Sequence, residues 1–553
     1  MSHITKLSIK NYRGIKEFSH DFQNERFIVL IGRGDSGKST ILSAIHAVLS
    51  PSWNMTFSDL DFHNQDTTQA IEITININEL PTELLKESKY GLFLQNDLNE
   101  DVEQSDLFLT IQLTVDSTLE PHWVVKSRIS SGLEDKHISG SDRALLAVNY
   151  ISDYTDNQFA YNRQSPLYAL TKLKLEDANT IEHVKSQLIR TLADSVKGDQ
   201  LDKLNKPLNE LANTAYQIGL DVDNLSAQID IKENPYTGNS ISLHNGDLPF
   251  RVKGKGSKRL MSIAIQSELT KQGGIILVDE LEQGLEPDRI TLLVRQLKSL
   301  SSGQVFITTH NANVISESNC HNLHIKTKGS SELRIVGQEL FACHRYNPQV
   351  FFSKRIILCE GDTEDGFMRS IDNWLWANHN KSFSSYGIVW ANAGGGSNMF
   401  DYALNLKKLG FDTCVFADDD KPNELADKKQ QCKNEKIPLY LCESGKCIEE
   451  QIMEELSICG LRKVIQCTQE GFPKIRVIPS QKFEDKINSL EKHPENEQDL
   501  RKEIAESSTT GKWFKHIQGG EFLGAIVMED WEQNNGFMQK TIINLLRWCS
   551  IEL

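Results

Sequence analysis

The stretch Arg355-Ile-Ile-Leu-Cys-Glu360-Gly361-Asp362-Thr363-Glu364 decides how the chain is read. A short, mostly apolar run ends in an acid and a glycine, and Asp365 to Trp376 continue as a helix. In an open α/β sheet this places Glu360 at the carboxyl end of a strand, where ligands bind, and Gly361 allows the tight turn into the helix. A second apolar run, Thr413-Cys-Val-Phe-Ala417, ends in Asp418-Asp419-Asp420. Carboxylates gathered at two strand ends repel one another unless hard cations lie between them. The pair therefore predicts a magnesium or manganese site suited to phosphodiester chemistry. Taken singly, each acid reads equally well as a solvated loop residue.

The two elements together resemble the Toprim domain, in which an acid-glycine strand end is followed by an Asp-x-Asp strand end. From Ser353 onward the pattern alternates: strands at 355–359, 386–391, 413–417 and 437–441, helices at 364–376, 398–409, 423–431 and 447–457. Such alternation predicts a parallel, Rossmann-like sheet with crossover helices. The loop Ala393-Gly-Gly-Gly-Ser397 reads either as a sharp turn or as a place where a phosphate backbone approaches closely. At the opening of the last of these helices Glu449 is preferred to Glu450 as a further metal ligand. Near the carboxyl end, Lys515 is preferred to Lys512 as a cation for a scissile phosphate. The charged span Glu470 to Arg501 reads as partly mobile, and Trp531 to Leu545 as a closing amphipathic helix.

The amino-terminal half carries a different engine. Phe27-Ile-Val-Leu-Ile31 is a continuous apolar strand that runs into Gly32-Arg33-Gly34-Asp35-Ser36-Gly37-Lys38-Ser39-Thr40, a complete G-x-x-x-x-G-K-[ST] pattern. Helical spacing of Ile41, Leu42, Ile45, Val48 and Leu49 follows. Backbone N–H groups and the helix start then face ATP phosphates, Lys38 reaches the β- and γ-phosphates and Ser39 ligates magnesium. Far downstream, Gly274-Ile-Ile-Leu-Val278 ends in Asp279 and Glu280, suited to hold magnesium through water and to polarise the attacking water. Val305-Phe-Ile-Thr-Thr309 delivers His310 to the same sheet edge, where it can sense the γ-phosphate.

Between the two halves, Gln69 to Ile77 and Leu107 to Val115 alternate as strands of an accessory antiparallel sheet. The polar stretch Asn96 to Gln104 reads as surface loop. Apolar stripes between Asp177 and Asn213 predict a helical pair, either an intramolecular cap or, by slight preference, a dimer contact. A turn-rich segment from Asn234 closes the insertion. The basic run Arg251 to Arg259 leads into a helix from Leu260; Gly254, Gly256 and Ser257 read as a nucleotide-closing signature or as part of a DNA-contacting loop.

At 553 residues, with 39% hydrophobic and 25% charged residues, the chain has the composition of a soluble multidomain protein. Its formal net charge of -16 argues against indiscriminate coating of nucleic acid, since counterion release needs clustered lysine and arginine. The ten cysteines begin at Cys320 and form no C-x-x-C pair, which predicts reduced, structural thiols. No signal peptide and no membrane-length apolar run is visible, so a cytoplasmic location without membrane contact is expected.

The order P-loop, long insertion, signature, Walker B, histidine resembles an ABC ATPase of the SMC and RecF kind, although Gly34 stands where Asn is usual and the usual Ser-Gly-Gly-Gln signature wording is absent. An ABC-type ATPase followed by a Toprim domain is the layout of the OLD (overcoming lysogenization defect) family of ATP-dependent endonucleases. It is similar also to the nuclease subunit of the Gabija system and to retron-associated OLD effectors.

The expected organisation is 1–165 and 226–345 as the two parts of the ATPase, 166–225 as a helical dimerisation insertion, and 346–553 as a Toprim nuclease domain with a helical extension. The resemblance implies ATP and divalent metal as cofactors, a homodimer or tetramer, DNA as substrate, a helicase or reverse transcriptase partner, and defence against phage. In the two-metal scheme Asp418, Asp420 and Glu449 hold one ion, Glu360 and Glu364 the other, with Lys515 beside the phosphate. Competing expectations are a RecF/SMC-like repair ATPase with an inert Toprim domain and, less well supported, a primase or topoisomerase.

Overall fold

The computed structural model describes residues 2–52, 54–96, 107–127, 133–152, 156–162, 165–175, 183–184, 204, 206–222, 224–229, 241–271, 273–300, 302–466, 480–490, 492–533 and 535–553. The polar stretch at 97–104, most of the striped segment between Asp177 and Asn213, the first part of the turn-rich segment after Asn234, and residues 470–479 of the charged span lie outside them. The chain divides into two compact units, Met1–Val336 and Gly337–Leu553.

In the first unit, period-two alternation builds an antiparallel sheet. Its six strands run in the order Ile15–Asp21, His3–Tyr12, Ile71–Asn78, Leu109–Val115, Pro121–Val125, Lys136–His137. Ile71, Ile73, Ile75 and Ile77 all point inward and are fully buried, while the residues between them face outward. The buried face shares a core with Ile41, Leu42, Ile45 and Val48 of the helix Lys38–Leu49.

The second sheet of this unit holds the ATPase motifs. Its order is Arg334–Ile335, Leu323–Ile325, Phe27–Ile31, Gln304–Thr308, Ile275–Val278, Val148–Ile151, parallel except for the first strand. Phe27–Ile31, Gln304–Thr308 and Ile275–Val278 are buried along their whole length, as continuous apolar runs in a covered parallel sheet should be. The strand that delivers His310 lies between the P-loop strand and the Walker B strand, so three distant segments end at one edge.

In the second unit a four-stranded parallel sheet runs in the order Ile388–Asn392, Arg355–Cys359, Asp412–Ala417, Leu439–Leu441. The first strand in sequence pairs with the second on one side and the third on the other, with Cys359 opposite Phe416. The strand order reverses at that point, and Glu360 and Asp418 leave the sheet there as neighbours.

The helix Asp362–His379 packs along Ile517–Glu529. Glycines make the approach possible: a Cβ on Gly366 would overlap the Ile517 carbonyl, and one on Gly520 the Thr363 carbonyl. Hydrogen bonds from Thr363 Oγ1 to the Phe514 carbonyl (3.0 Å) and from Ser370 Oγ to the Glu521 carbonyl lock the pair. Gly520→Ala is therefore expected to lower the stability of the protein by about 1–3 kcal/mol, as overpacking does, and to weaken any function of the neighbouring Lys515. Thermal melts compared with a surface Gly→Ala control would check this.

Candidate functional sites: a nucleotide site and an acid cavity

At the edge of the first unit's parallel sheet, the P-loop helix begins at Lys38 after Gly37, whose φ of 96° is open to glycine at little cost. Lys38 Nζ donates to the carbonyls of Gly32 and Arg33, each at 2.8 Å. Burial lowers its pKa to about 8, against the pull of Asp279 and Glu280. Ser39 Oγ donates to Asp279 Oδ1 at 2.8 Å, which joins the two motif halves.

Three residues given no role of their own in the sequence analysis complete the arrangement. Thr308 Oγ1 donates to Asp279 Oδ1 at 2.5 Å and accepts from Glu280 N at 2.8 Å, so one hydroxyl orients both acids. Glu282 accepts from Thr309 Oγ1 (2.7 Å) and His310 N (2.6 Å), and thereby holds the histidine turn. Arg259 donates to the carbonyls of Ser152, Asp279 and Glu280. Glu280 itself adopts φ 48°, a left-handed conformation unusual for a glutamate and of the sort stored at functional sites. Burial and the neighbouring Lys38 charge lower the pKa of the His310 ring.

The basic run differs from expectation in one respect. The helix starts at Lys255 instead of Leu260, so Gly256 and Ser257 belong to its first turn, and Gly256 lies directly against the Gly284 carbonyl. A side chain at Gly256 would have no room there.

In the second unit a cavity of about 790 Å³ opens over the strand ends. Glu360, Glu364, Asp418 and Lys515 line it, together with Asp362, Asn392, Gly394 and Gly395. Asp418 Oδ1 accepts from Ile448 N at 2.7 Å, the first N–H of the helix Ile448–Glu455. The next residue, Glu449, is fully buried, and among the described residues neither carboxylate oxygen has a hydrogen-bond partner. Glu450, in contrast, is used as a helix cap, accepting from Cys447 N at 3.1 Å.

Lys515 Nζ stands 3.3 Å from Glu449 Oε1 and 3.6 Å from Asp418 Oδ2. Burial alone would lower its pKa, but Glu449, Asp418 and Glu364 outweigh that and hold the ammonium above its ordinary value. Lys512 instead occupies the left-handed cap of the preceding helix.

The acids show the strain of their crowding. Burial, then Glu364 and Asp420, raise Glu360 to about 7. Burial and Glu364 raise Asp418 well above the carboxylate range, and burial raises Glu364 even though it accepts from Gly361 N at 2.9 Å. Asp420 is exposed and acts on Glu360, whereas Asp418 and Glu449 share Lys515. Asp419 pairs with Lys429.

Among the described residues no three acid, histidine or cysteine side chains are already gathered into a coordination shell. The donor set nevertheless fits a hard cation. Glu360, Glu364, Asp418 and the buried Glu449 are four carboxylates with one ammonium, Lys515, among them, and the raised pKa of the crowded acids reflects charge that this single cation does not balance.

One consequence concerns the metal-free protein. Glu360 is protonated up to about pH 7 when folded but only to about 4.5 as a free side chain, so folding is penalised progressively as pH rises through that window. Glu360→Gln is expected to match the natural chain in stability near pH 5 and to exceed it by about 1–2 kcal/mol at pH 8, after allowance for solvent screening. Thermal melts in a chelator at the two pH values would check the difference.

Residues 3–315, more than half of the chain, match the model of a family described as AAA ATPase domain. Residues 351–420 match one described as overcoming lysogenization defect protein-like, TOPRIM domain. The chain belongs to the AAA ATPase domain family, with an OLD-like Toprim domain following the ATPase. This is the OLD-family architecture.

Among solved structures, the ATPase domain is similar to the Smc head domain of Pyrococcus furiosus (14% identity, 61% of this chain, 96% of that chain, TM-score 0.39). It is similar also to the recombination mediator RecF with ATP (13% identity, 61% of this chain, 98% of that chain, TM-score 0.38). No curated protein matches the chain. The ATPase domain makes the protein an ATP-binding, ATP-hydrolysing enzyme. No helix among the described residues is long and apolar enough to cross a membrane.

Proposed function

We propose that this protein is an ATP-regulated DNA endonuclease whose Toprim cavity hydrolyses phosphodiester bonds with divalent cations. The observation that carries the reading is the convergence of Glu360, Glu364, Asp418 and Glu449 with Lys515 at the reversal of strand order in the second unit. Bound magnesium or manganese would supply Lewis acidity and a water of lowered pKa, and these four acids, with Asp420 beside Glu360, would hold it.

The chain's own groups do the rest. Lys515 keeps its proton and neutralises charge on the phosphate. Open space around the backbone of Gly394 and Gly395 lets the sugar-phosphate chain lie against the sheet end. In the ATPase domain, Lys38 and Ser39 bind the phosphates, Asp279 holds the magnesium shell, Glu280 polarises water and His310 reports the γ-phosphate. Self-association and a role in defence against phage belong to the same reading.

The test is incubation of purified protein with supercoiled and linear DNA, with and without ATP, magnesium and manganese. Nicked or linear product that requires metal supports the reading. A second reading, a DNA-repair ATPase with an inert Toprim domain, is favoured by the Lys515 ammonium already seated between two of the acids. It predicts no cleavage under any of these conditions.

A further inference from the structure

Tyr346 is 81% exposed, more than any other large apolar side chain among the described residues. An isolated surface aromatic would need no explanation. This one lines the same cavity as Glu360, Glu364, Asp418 and Lys515. Among the described residues no ring packs on it and no group bonds its hydroxyl.

Its mounting is rigid. It ends the short helix Phe341–Tyr346, whose Cys343 and His344 are buried and whose Arg345 lies over the Phe341 ring at 5.6 Å. The next residue, Asn347, donates from Nδ2 to the Asn392 carbonyl at 2.9 Å, which ties the helix end to the strand beside Glu360. An aromatic held on a fixed support, bare on its faces and next to reacting acids, is built to receive another flat ring.

Size and charge narrow what that ring belongs to. A cavity of about 790 Å³ lies in the range of sites for nucleotide-sized ligands and is far smaller than a turn of duplex. Among the described residues Lys515 is the single lysine in a lining that also includes Glu360, Glu364, Asp362, Asp365 and Asp418, so phosphate contacts alone give little affinity. Stacking of a base on an aromatic is the sequence-tolerant interaction left to hold a strand, and only an unpaired base offers its face.

Building on the cleavage reading above, we infer that the Toprim cavity takes DNA as an unpaired strand and that Tyr346 is the platform on which a base next to the scissile phosphate stacks. Fully paired duplex is then the poorer ligand.

The experiment uses the full-length chain carrying Asp418→Asn, which blocks cleavage on the reading above. Three DNAs carry one fluorescent 2-aminopurine: a single strand, a duplex with that base unpaired, and a fully paired duplex. Titration with magnesium present is expected to quench the first two and to bind them more tightly than the third. Adding Tyr346→Ala is expected to abolish quenching and weaken single-strand binding by roughly five- to a hundredfold, while Tyr346→Phe retains both. Quenching unchanged by Tyr346→Ala, tighter binding of paired duplex, or no binding of any of the three overturns the inference.

In the chain with Asp418 intact, Tyr346→Ala is expected to raise KM for single strands with kcat little changed. Absence of cleavage together with Tyr346-dependent quenching would sink the nuclease reading and leave the stacking site standing. Cleavage that persists equally in Tyr346→Ala would sink the stacking site and leave the nuclease reading standing.

Discussion

Asp418→Asn is expected to lower metal-dependent DNA cleavage by a factor on the order of a thousand while ATP binding is unchanged. The substitution is nearly isosteric, and an amide oxygen can still accept from Ile448 N, so the start of the helix Ile448–Glu455 stays in place. What disappears is a charge that interacts with Glu364, Lys515 and Glu449. Because burial and Glu364 already disfavour ionised Asp418, removing its charge also relieves repulsion in the metal-free protein. The variant should therefore melt at the same temperature or higher in a chelator, and the stabilisation that manganese gives the natural chain should shrink. Loss of cleavage with a retained or raised melting point separates a missing ligand from a broken fold. Full cleavage by the variant would place the nuclease elsewhere.

Lys38→Ala is expected to weaken ATP binding by about a hundredfold or more and to stop ATP turnover. Lys38 is buried, and its ammonium is satisfied by the carbonyls of Gly32 and Arg33, so it is held at the phosphate position in advance. Loss of one partner of a buried charged contact costs about 2–5 kcal/mol, which gives this magnitude. A pH signature accompanies it. The ammonium, with a pKa near 8, carries the charge that attracts phosphate, so ATP affinity should fall as pH rises past about 8 in the natural chain. The Lys38→Ala variant should show no such fall. Titration of a fluorescent ATP analogue at pH 7 and pH 9 would check both. Cleavage by Lys38→Ala then reports on regulation: if ATP controls the Toprim cavity, the dependence of cutting on ATP vanishes while the cavity acids are intact.

Much of the protein could be read directly from its residues. A P-loop works through consecutive backbone N–H groups, so Gly32 to Thr40 carry their whole geometry in nine adjacent positions. Buried parallel strands are continuous apolar runs, and an acid that follows one, as Glu360 and Asp418 do, falls at the sheet's ligand-binding end whatever the rest of the chain does. Helix starts were less legible. Lys255 to Arg259 reads as a signature or a basic loop ahead of the helix because its charge hides the fact that Gly256 must meet Gly284 closely.

The sequence by itself thus determined two α/β units, their order, and the nucleotide-binding class of the first site, because those depend on local period and on contiguous residues. Only the tertiary structure decided which distant side chains meet. Lys515 reaches Asp418 and Glu449 because glycines on two helices, far apart in the chain, permit contact that a methyl group would forbid. Thr308 orients the ATPase acids, and Glu282 holds the histidine turn, because a third strand lies between the two motif strands. Asp420 falls to Glu360, and Tyr346 stands at the rim of the acid cavity, for the same reason. Such meetings are set by close packing across the fold, and packing leaves no periodic mark in the order of residues.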